Sequence, residues 1–588
     1  MTFADKRKLL EKLTSLLAEV QVSSWADIAQ VIEQLQQFQH QPKPRSFQEF
    51  LNIIDHGTAY LTFAIGLDGV SIEIAKYARA LEARRGTANL SDVHLITGDF
   101  QPQADNLMKE RWHRFKIDGI NGWDKWAGGK YFDALYRQDL EESSQISSEL
   151  AAQIFQQGVD IAENLGDYLV VNNIGLLIPI NVASNPGNLA LSLALVFVTE
   201  ALGIFVLNSN HDFYWEGGMP PGERQPGEEP GVRDHFFRNA HHKSFFSLFQ
   251  SLYPWNGRRW LQVNINTLQS HRLIDEFGFP LERVTELTTS VGDKLLEEFT
   301  SEDVKSARLR MAHILSNGKP VVKVRALEKH RLGLRNWMGK QKPYVIGAHK
   351  NLSLDLTTER LIYLLQPTRV VARKRIERDV ELIHALLRTG PLREEFDADP
   401  ECRILLHITG PTPREHRHDL STILQCYEEL IEDLPPSIGE RVFLAFSVGR
   451  EEHPVFQEKG FAPLNITDLY RLATAVLFPS ETEGRGLPII ESAAIGVPII
   501  SSRYSPVEVF DGVIGEHLPE EQRIQYIEFP EGEFSQAFLG QVADLLLRPE
   551  IKTRWQAHNR KAIRLRYSDD ALRASFQNLL QQLYEISE

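Results

Sequence analysis

At 588 residues, with 42% apolar and 24% charged side chains, the chain has the balance of a folded protein and length for two or more cores. The net charge of −15 argues against nucleic acid as partner, because that partner demands a basic footprint, yet local cations can still hold a small anion. Only Cys402 and Cys426 occur, too few for a disulfide framework or a cysteine zinc site. The start of the chain shows no signal-peptide pattern, and the most apolar stretch, 189–207, is interrupted by Glu200 and Gly203. A cytoplasmic protein with no integral membrane segment is expected.

Leu9, Leu13, Leu16 and Leu17 recur at helical spacing and a second helical pattern covers 25–38, so residues 1–50 read as a helical extension with Pro42 and Pro44 in its linker. From Tyr60 the pattern becomes strand (61–65), glycine turn at Gly66 and Gly69, helix (72–84), strand (93–97). Further strands are expected at 168–172, 204–208 and 260–264, with a helix over 187–201. The Gly/Pro-rich stretch 216–231 follows a strand end and reads as a mobile substrate loop, with an unstructured excursion as the equal alternative. A second run begins near Arg360, with strands at 362–365, 404–408, 442–446, 475–478 and 498–501. Helices at 377–387, 420–432, 466–473 and 487–495 fall between them. Such alternation predicts an α/β chain of two doubly wound domains.

Ligands of doubly wound sheets collect outside the carboxyl ends of the strands, where helix starts offer NH groups to phosphate. The stretch 475–501 meets that test: a buried strand, a turn with Gly484 and Gly486, then a helix beginning at Leu487. Glu483 stands at the strand mouth, and Glu491 lies one to two turns into an otherwise apolar helix, where a carboxylate needs a specific polar partner. Upstream, Arg369 and Lys374, five apart, follow the first strand of the second run; Arg373 and Arg375 are adjacent alternatives. A solvated basic helix start is the plain alternative for this pair, as a solvated helix face is for the glutamates.

Two glutamates separated by seven residues, within Glu483, Gly484, Arg485, Gly486, Leu487 and Pro488, resemble the signature of glycosyltransferase family 4, retaining enzymes of the GT-B architecture. The resemblance covers roughly 61–588 and implies two Rossmann-like domains facing each other across a cleft. Residues 51–345 would take the acceptor, 346–568 would hold the donor, and a last helix at 569–588 would pack back on the first domain. It further implies that Glu491 binds the donor ribose, that Glu483 lies catalytically at the donor sugar, and that Gly69, Arg369, Lys374, Gly484, Gly486 and Leu487 contact the donor. Arg485 departs from the family, which usually has Phe there.

His211 and Asp212, with Trp215 three residues on, follow a buried strand, a placement suited to sugar recognition through hydroxyl hydrogen bonds and stacking. This run resembles a His-Asp-Phe-Tyr-Trp-Glu motif in a subset of these transferases, distantly like sucrose-phosphate, trehalose and mannosylglucosylglycerate-type synthases. His211 is therefore expected to be catalytic, and Asn173, Asp212 and Trp215 to line the acceptor. A satisfied core histidine is the alternative for His211, and loop capping for Asn173 and the asparagines of 181–188.

Asp397 and Asp399 imitate a metal-binding pair, but they precede a strand in a loop. His241 and His242, and His416 and His418, lack further ligands at metal spacing, so no metal is expected. The expected activity is metal-independent hexosyl transfer from a UDP-glucose or GDP-mannose type donor to a small hydroxylated acceptor, with no cofactor beyond that co-substrate. A sugar-nucleotide epimerase or phosphorylase on the same fold, or a non-catalytic nucleotide-sugar-binding protein, stand as alternatives. The helical extension leaves homo-oligomerisation open.

Overall fold

Buried β-branched and leucine runs, each closed by a glycine or polar turn and followed by an amphipathic helix, assemble into parallel sheets because the crossover helices cover both faces. The computed structural model describes residues 3–38, 42–66, 68–84, 92–105, 107–224, 231–298, 300–319, 321–327, 342–357, 360–410, 417–449 and 451–587. They divide into two units: Met1–Thr289 with Leu572–Glu588, and Ser290–Ala571.

The first unit carries β1 (Gly57–Thr62), β2 (Asp92–Thr97), β3 (His113–Lys116), β4 (Leu176–Pro179), β5 (Phe205–Asn210), β6 (Trp260–Asn264) and β7 (Val284–Glu286). They form one sheet in the order β3-β2-β1-β4-β5-β6-β7, with every pairing parallel. The stretch 168–172, expected as a strand, is instead the end of a long helix, Gln145–Val171. Leu165, Leu169 and Val170 are buried at helical spacing there, and this packing overrides the strand propensity of the Tyr168–Val171 stretch.

The helices Phe3–Glu19 and Trp25–Gln36 are part of this unit's core. Leu10, Leu13, Leu17, Trp25 and Ile28 are buried in the same cluster as Leu193 and Val196. Ser24 and Asp27 form a reciprocal capping box at the start of the second helix, and Trp25 Nε1 donates to Ser147 Oγ at 3.0 Å. On the other face, Leu572, Phe576, Leu580 and Leu583 of the helix Asp569–Glu585 share a core with Phe50 and Tyr77. No described helix is long and apolar enough to cross a membrane; Leu189–Leu202 is buried in the core except at Glu200.

The second unit carries β8 (Val322–Lys323), β9 (Arg325–Ala326), β10 (Tyr344–Gly347), β11 (Ser353–Leu354), β12 (Arg360–Gln366), β13 (Cys402–Ile408), β14 (Val442–Phe446), β15 (Ala475–Phe478), β16 (Ile499–Ser501) and β17 (Ile527–Glu528). The main sheet runs β17-β16-β15-β12-β13-β14-β10-β9, antiparallel only between β14 and β10; β8 and β11 pair apart. The unit begins at Ser290, ahead of the boundary near 345 read from sequence. The reason lies in the helix Ser301–Ser316: its Met311, Ile314 and Leu315 are buried with Leu365 and Phe478, and Arg310 grips Asp468 bidentately at 2.9 and 3.0 Å.

At the centre of this sheet His407 is buried, with Nδ1 2.8 Å from Tyr363 Oη and Nε2 2.9 Å from Ser447 Oγ. Burial pushes its imidazole down from 6.5 to about 3. The unfolded chain takes up this proton near pH 6.5 and the folded chain does not until about pH 3, so stability falls with pH across that window and is level outside it. Between pH 7 and 5 this group alone removes about 2 kcal/mol. His407→Gln is expected to melt lower at pH 7 and to lose less on acidification; a pH 7 to 5 drop in Tm equal to that of wild type refutes the assignment.

Candidate functional site

Where the strand order of a parallel sheet reverses, the loops leaving the two central strands diverge and open a crevice at their carboxyl ends. In the second unit that reversal lies between β12 and β15. The loop after β12 carries Arg369 and, on the short turn Ala372–Lys374, Arg373 and Lys374. The loop after β15 carries Ser480, Glu483, Gly484 and Gly486 before the helix Leu487–Ile495.

The two loops are joined by a buried ion pair between Lys374 Nζ and Glu483 Oε1. Ser480 Oγ donates to the same carboxylate oxygen at 2.6 Å, and Lys374 Nζ lies 5.5 Å from the centre of the Phe478 ring. Main-chain ties fix the arrangement: Glu481 N donates to Arg373 O at 2.8 Å, and Arg373 Nη1 donates to Thr482 O at 2.6 Å. Glu483 N reaches Ser505 O at 3.1 Å, so the turn is also held to the loop after β16. Burial pushes the Lys374 amine down; Glu483 opposes that shift, and the charges of Arg373 and Arg369 add to it. A single carboxylate thus compensates this desolvated cation only in part.

Gly486 opens the helix in the left-handed region, at φ 57°, and a Cβ there would collide with Tyr504 Oη. Glycine is demanded twice, by backbone and by space. The Tyr504 hydroxyl is buried and meets no hydrogen-bond partner among the described residues; burial pushes its phenol up and Glu483 adds to this. Gly484 and Leu487 are exposed at the same turn. Glu491, half-buried in the helix, faces the fully buried Tyr470, whose phenol is raised by burial first and then by this carboxylate. Arg369 is exposed, and among the described residues its guanidinium makes no hydrogen bond or ion pair.

In the first unit the reversal lies between β1 and β4. After β1, Gly66 N donates to Ser71 Oγ at 2.9 Å, Asp68 caps the helix Gly69–Ala83, and Gly69 opens it with free space of 4 Å around the point where a Cβ would stand. After β4, Asn181 takes Asp212 N on Oδ1 at 2.9 Å and donates to Asp212 Oδ2 at 3.0 Å. Arg233 completes this corner, 3.0 Å from Asp212 Oδ1. His211, half-buried, follows β5 directly, and its carbonyl accepts from Gln269 Nε2 at 3.1 Å. Glu216 is tied down by Phe213 N at 2.6 Å and Gln269 Nε2 at 3.0 Å, and burial pushes its carboxyl up.

Two residues expected to line the acceptor have other partners in the structure. Trp215 is 3% exposed and stacked between Phe213 and Phe277, with ring centroids 3.9 and 4.5 Å away, so its face is closed to a sugar. Asn173 sits in the turn before β4, at the amino end of the sheet, where its Oδ1 accepts from Lys6 Nζ at 3.0 Å; its φ of 49° explains the asparagine as a turn residue. Of the discounted groups, Asp397 and Asp399 pair with Arg393 and Arg360, and His242 caps the helix Lys243–Leu252. His416 lies outside the described residues, as does part of the 216–231 loop. Sequence reading passed over Ser480 and Tyr504. Ser480 closes a buried strand three residues before Glu483, a visible signal; Tyr504 carries none.

Residues 456–525 match the family Glycosyl transferases group 1. A D-inositol 3-phosphate glycosyltransferase of Thermobifida fusca (strain YX) is 32% identical over 138 residues, 20% of this chain and 31% of that protein. The chain thus spans about a third of the length of the curated relative it matches. A solved glycosyltransferase from Rickettsia africae ESF-5 superposes with a TM-score of 0.50 at 12% identity, covering 90% of this chain and 98% of that one. That likeness is one of fold, and with the two doubly wound sheets it makes the architecture GT-B.

Gly486→Ala places a Cβ in the left-handed region, at about 1–2 kcal/mol, and adds the collision with Tyr504. The variant is expected to melt several degrees below wild type, and the double variant with Tyr504→Phe to recover part of that loss. Equal melting of the single and double variants shows that the hydroxyl does not press on this turn.

Proposed function

We propose that the chain is a retaining glycosyltransferase that moves a hexose from a nucleotide-diphosphate sugar, of the UDP-glucose or GDP-mannose type, to a small hydroxylated acceptor. The observation that carries this reading is the meeting of Lys374, Glu483 and the Gly486 helix start at the switch point of the second sheet. The segment matching the group 1 transferases contains Glu483, Gly486 and Glu491.

In this reading the diphosphate lies against the NH groups that open the helix Leu487–Ile495, with Lys374 and Arg369 beside it. A diphosphate brings more negative charge than one carboxylate, and so supplies the compensation that the desolvated Lys374 lacks. Glu491 accepts from the ribose hydroxyls, since an ionised carboxylate takes two such bonds together. Glu483, released from or shared with Lys374, turns toward the donor sugar. The bond from the anomeric carbon to the diphosphate oxygen breaks, and negative charge builds on the leaving group beside those cations. The acceptor oxygen attacks from the same face, its proton passing to the departing phosphate oxygen, so configuration is retained without a covalent carboxylate. In the first unit, His211 and Asp212, at the carboxyl end of β5, are the groups proposed to orient the acceptor.

Thermal melting with a panel of nucleotide sugars identifies the donor: one present at about a hundred times its Kd stabilises by roughly 2.7 kcal/mol. Glu491→Ala is expected to weaken that donor at least about tenfold, and Lys374→Met to lower turnover more than donor affinity. Unchanged donor affinity in Glu491→Ala removes the ribose assignment. Donor binding by wild type without nucleotide-diphosphate release across an acceptor panel removes transfer itself.

A further inference from the structure

The amino ends of β2 and β3 hold a second cluster, at the opposite end of the sheet from the Gly69 turn and His211. Asp92 and His94 are two residues apart on β2 and so share a face. β3 runs parallel beside it, with His113 directly opposite His94. The two imidazoles stack with centroids 4.6 Å apart and 18° between planes, and His113 Nε2 lies 3.8 Å from Asp92 Oδ1. One ligand atom from each of the three residues lies within 4.8 Å of the others.

His94 is 2% exposed, and its Nδ1 is 2.8 Å from the Tyr168 hydroxyl, which is itself stacked at the ring on Phe115. Its Nε2 is buried and meets no hydrogen-bond partner among the described residues. A buried polar nitrogen left so costs about 1–3 kcal/mol unless something else occupies it. A histidine with one nitrogen anchored to a hydroxyl and the other bare is arranged as metal-binding histidines are, because the anchored N–H fixes the tautomer and aims the lone pair.

We propose that Asp92, His94 and His113 form a binding site for a divalent transition metal of the zinc class, which fastens the edge strand β3 to β2. Two imidazoles and one carboxylate suit zinc and its neighbours, whereas calcium and magnesium require oxygen ligands throughout. Ligand atoms on a zinc ion stand about 3.3 Å apart, given bond lengths near 2.0–2.1 Å, so the cluster has to contract. His113 and Asp92 can supply that movement, since their side chains are 52% and 65% exposed. Tyr168 holds Nδ1 of His94 and leaves Nε2 to the ion, and water completes the coordination.

The chain contains 19 histidines, so the test is the difference between wild type and a variant at the site. The full chain is stripped with chelator and titrated with zinc chloride by calorimetry, with cobalt(II) absorption as a spectroscopic check. Wild type is expected to take up one equivalent and to melt higher with it. His113→Ala is expected to keep the metal-free melting temperature while binding zinc at least about tenfold more weakly, about 1.4 kcal/mol, with no rise in Tm on adding zinc. Asp92→Asn is expected to fall between the two. Should wild type take up no equivalent, or should His113→Ala bind it as tightly as wild type, the site is refuted.

Discussion

The arrangement of the second unit depends on one buried ion pair, Lys374 with Glu483. The reversal of strand order between β12 and β15 sends two loops out of the sheet side by side. Nothing in a parallel sheet by itself fixes such loops, because their backbone groups lie beyond the ladder. Here opposite charges, one from each loop, meet away from water, and the Arg373 carbonyl and guanidinium clasp the same turn from the other side. Removing one member of a buried pair strands its partner at about 3–5 kcal/mol, whereas replacing both with apolar groups is often neutral or stabilising. Stability alone does not require such a pair at the mouth of a topological switch, and the proposed diphosphate gives its charges a use.

In the first unit neutral amides work beside a charged pair, Asp212 with Arg233. At its reversal Asn181 bridges to Asp212, and behind it Asn208, Gln262, Asn210 and Asn264 form a buried amide ladder across β5 and β6 with bonds of 2.9 to 3.2 Å. Each amide offers both donor and acceptor, so the ladder runs on without net charge, with Asn208 Oδ1 left buried and without a hydrogen-bond partner among the described residues. The reversal of the second unit is held instead by the Lys374–Glu483 pair, with Arg369 and Arg373 beside it. The difference between the two crevices is therefore chemical although their topology is the same.

Much of this was legible in the sequence because buried strands bounded by turns leave little ambiguity: Val442–Phe446, Ala475–Phe478 and the helix Leu487–Ile495 read to the residue. The glutamates and the Arg369 and Lys374 region could be placed at strand mouths for the same reason. Tyr168 and its neighbours were not legible as helix, because local propensity favoured strand and only the packing of the long helix Gln145–Val171 decided otherwise. Trp215 could not be told from a sugar platform, since a polar run beginning at His211 hides the fact that Phe277, sixty-two residues on, closes its face. His94 and His113 escaped notice because their proximity is a product of strand register, which no local spacing encodes.

Arg485 stands where the signature this stretch resembles usually has phenylalanine, in a turn whose backbone does not depend on that side chain. The backbone there is governed by Gly486 in the left-handed region and by the Glu483 bond to Ser505, neither of which involves the side chain between them. The guanidinium is half-buried and lies near the buried Tyr567, whose phenol is raised by burial and lowered by Arg566 and then by Arg485. A flat, weakly hydrated cation can occupy much of the space of an aromatic ring and rest on another ring. Its charge adds to those of Arg369, Arg373 and Lys374 around the same turn, in a chain whose total charge is −15. These cations stand where the diphosphate is proposed to lie, against the overall negative charge of the chain.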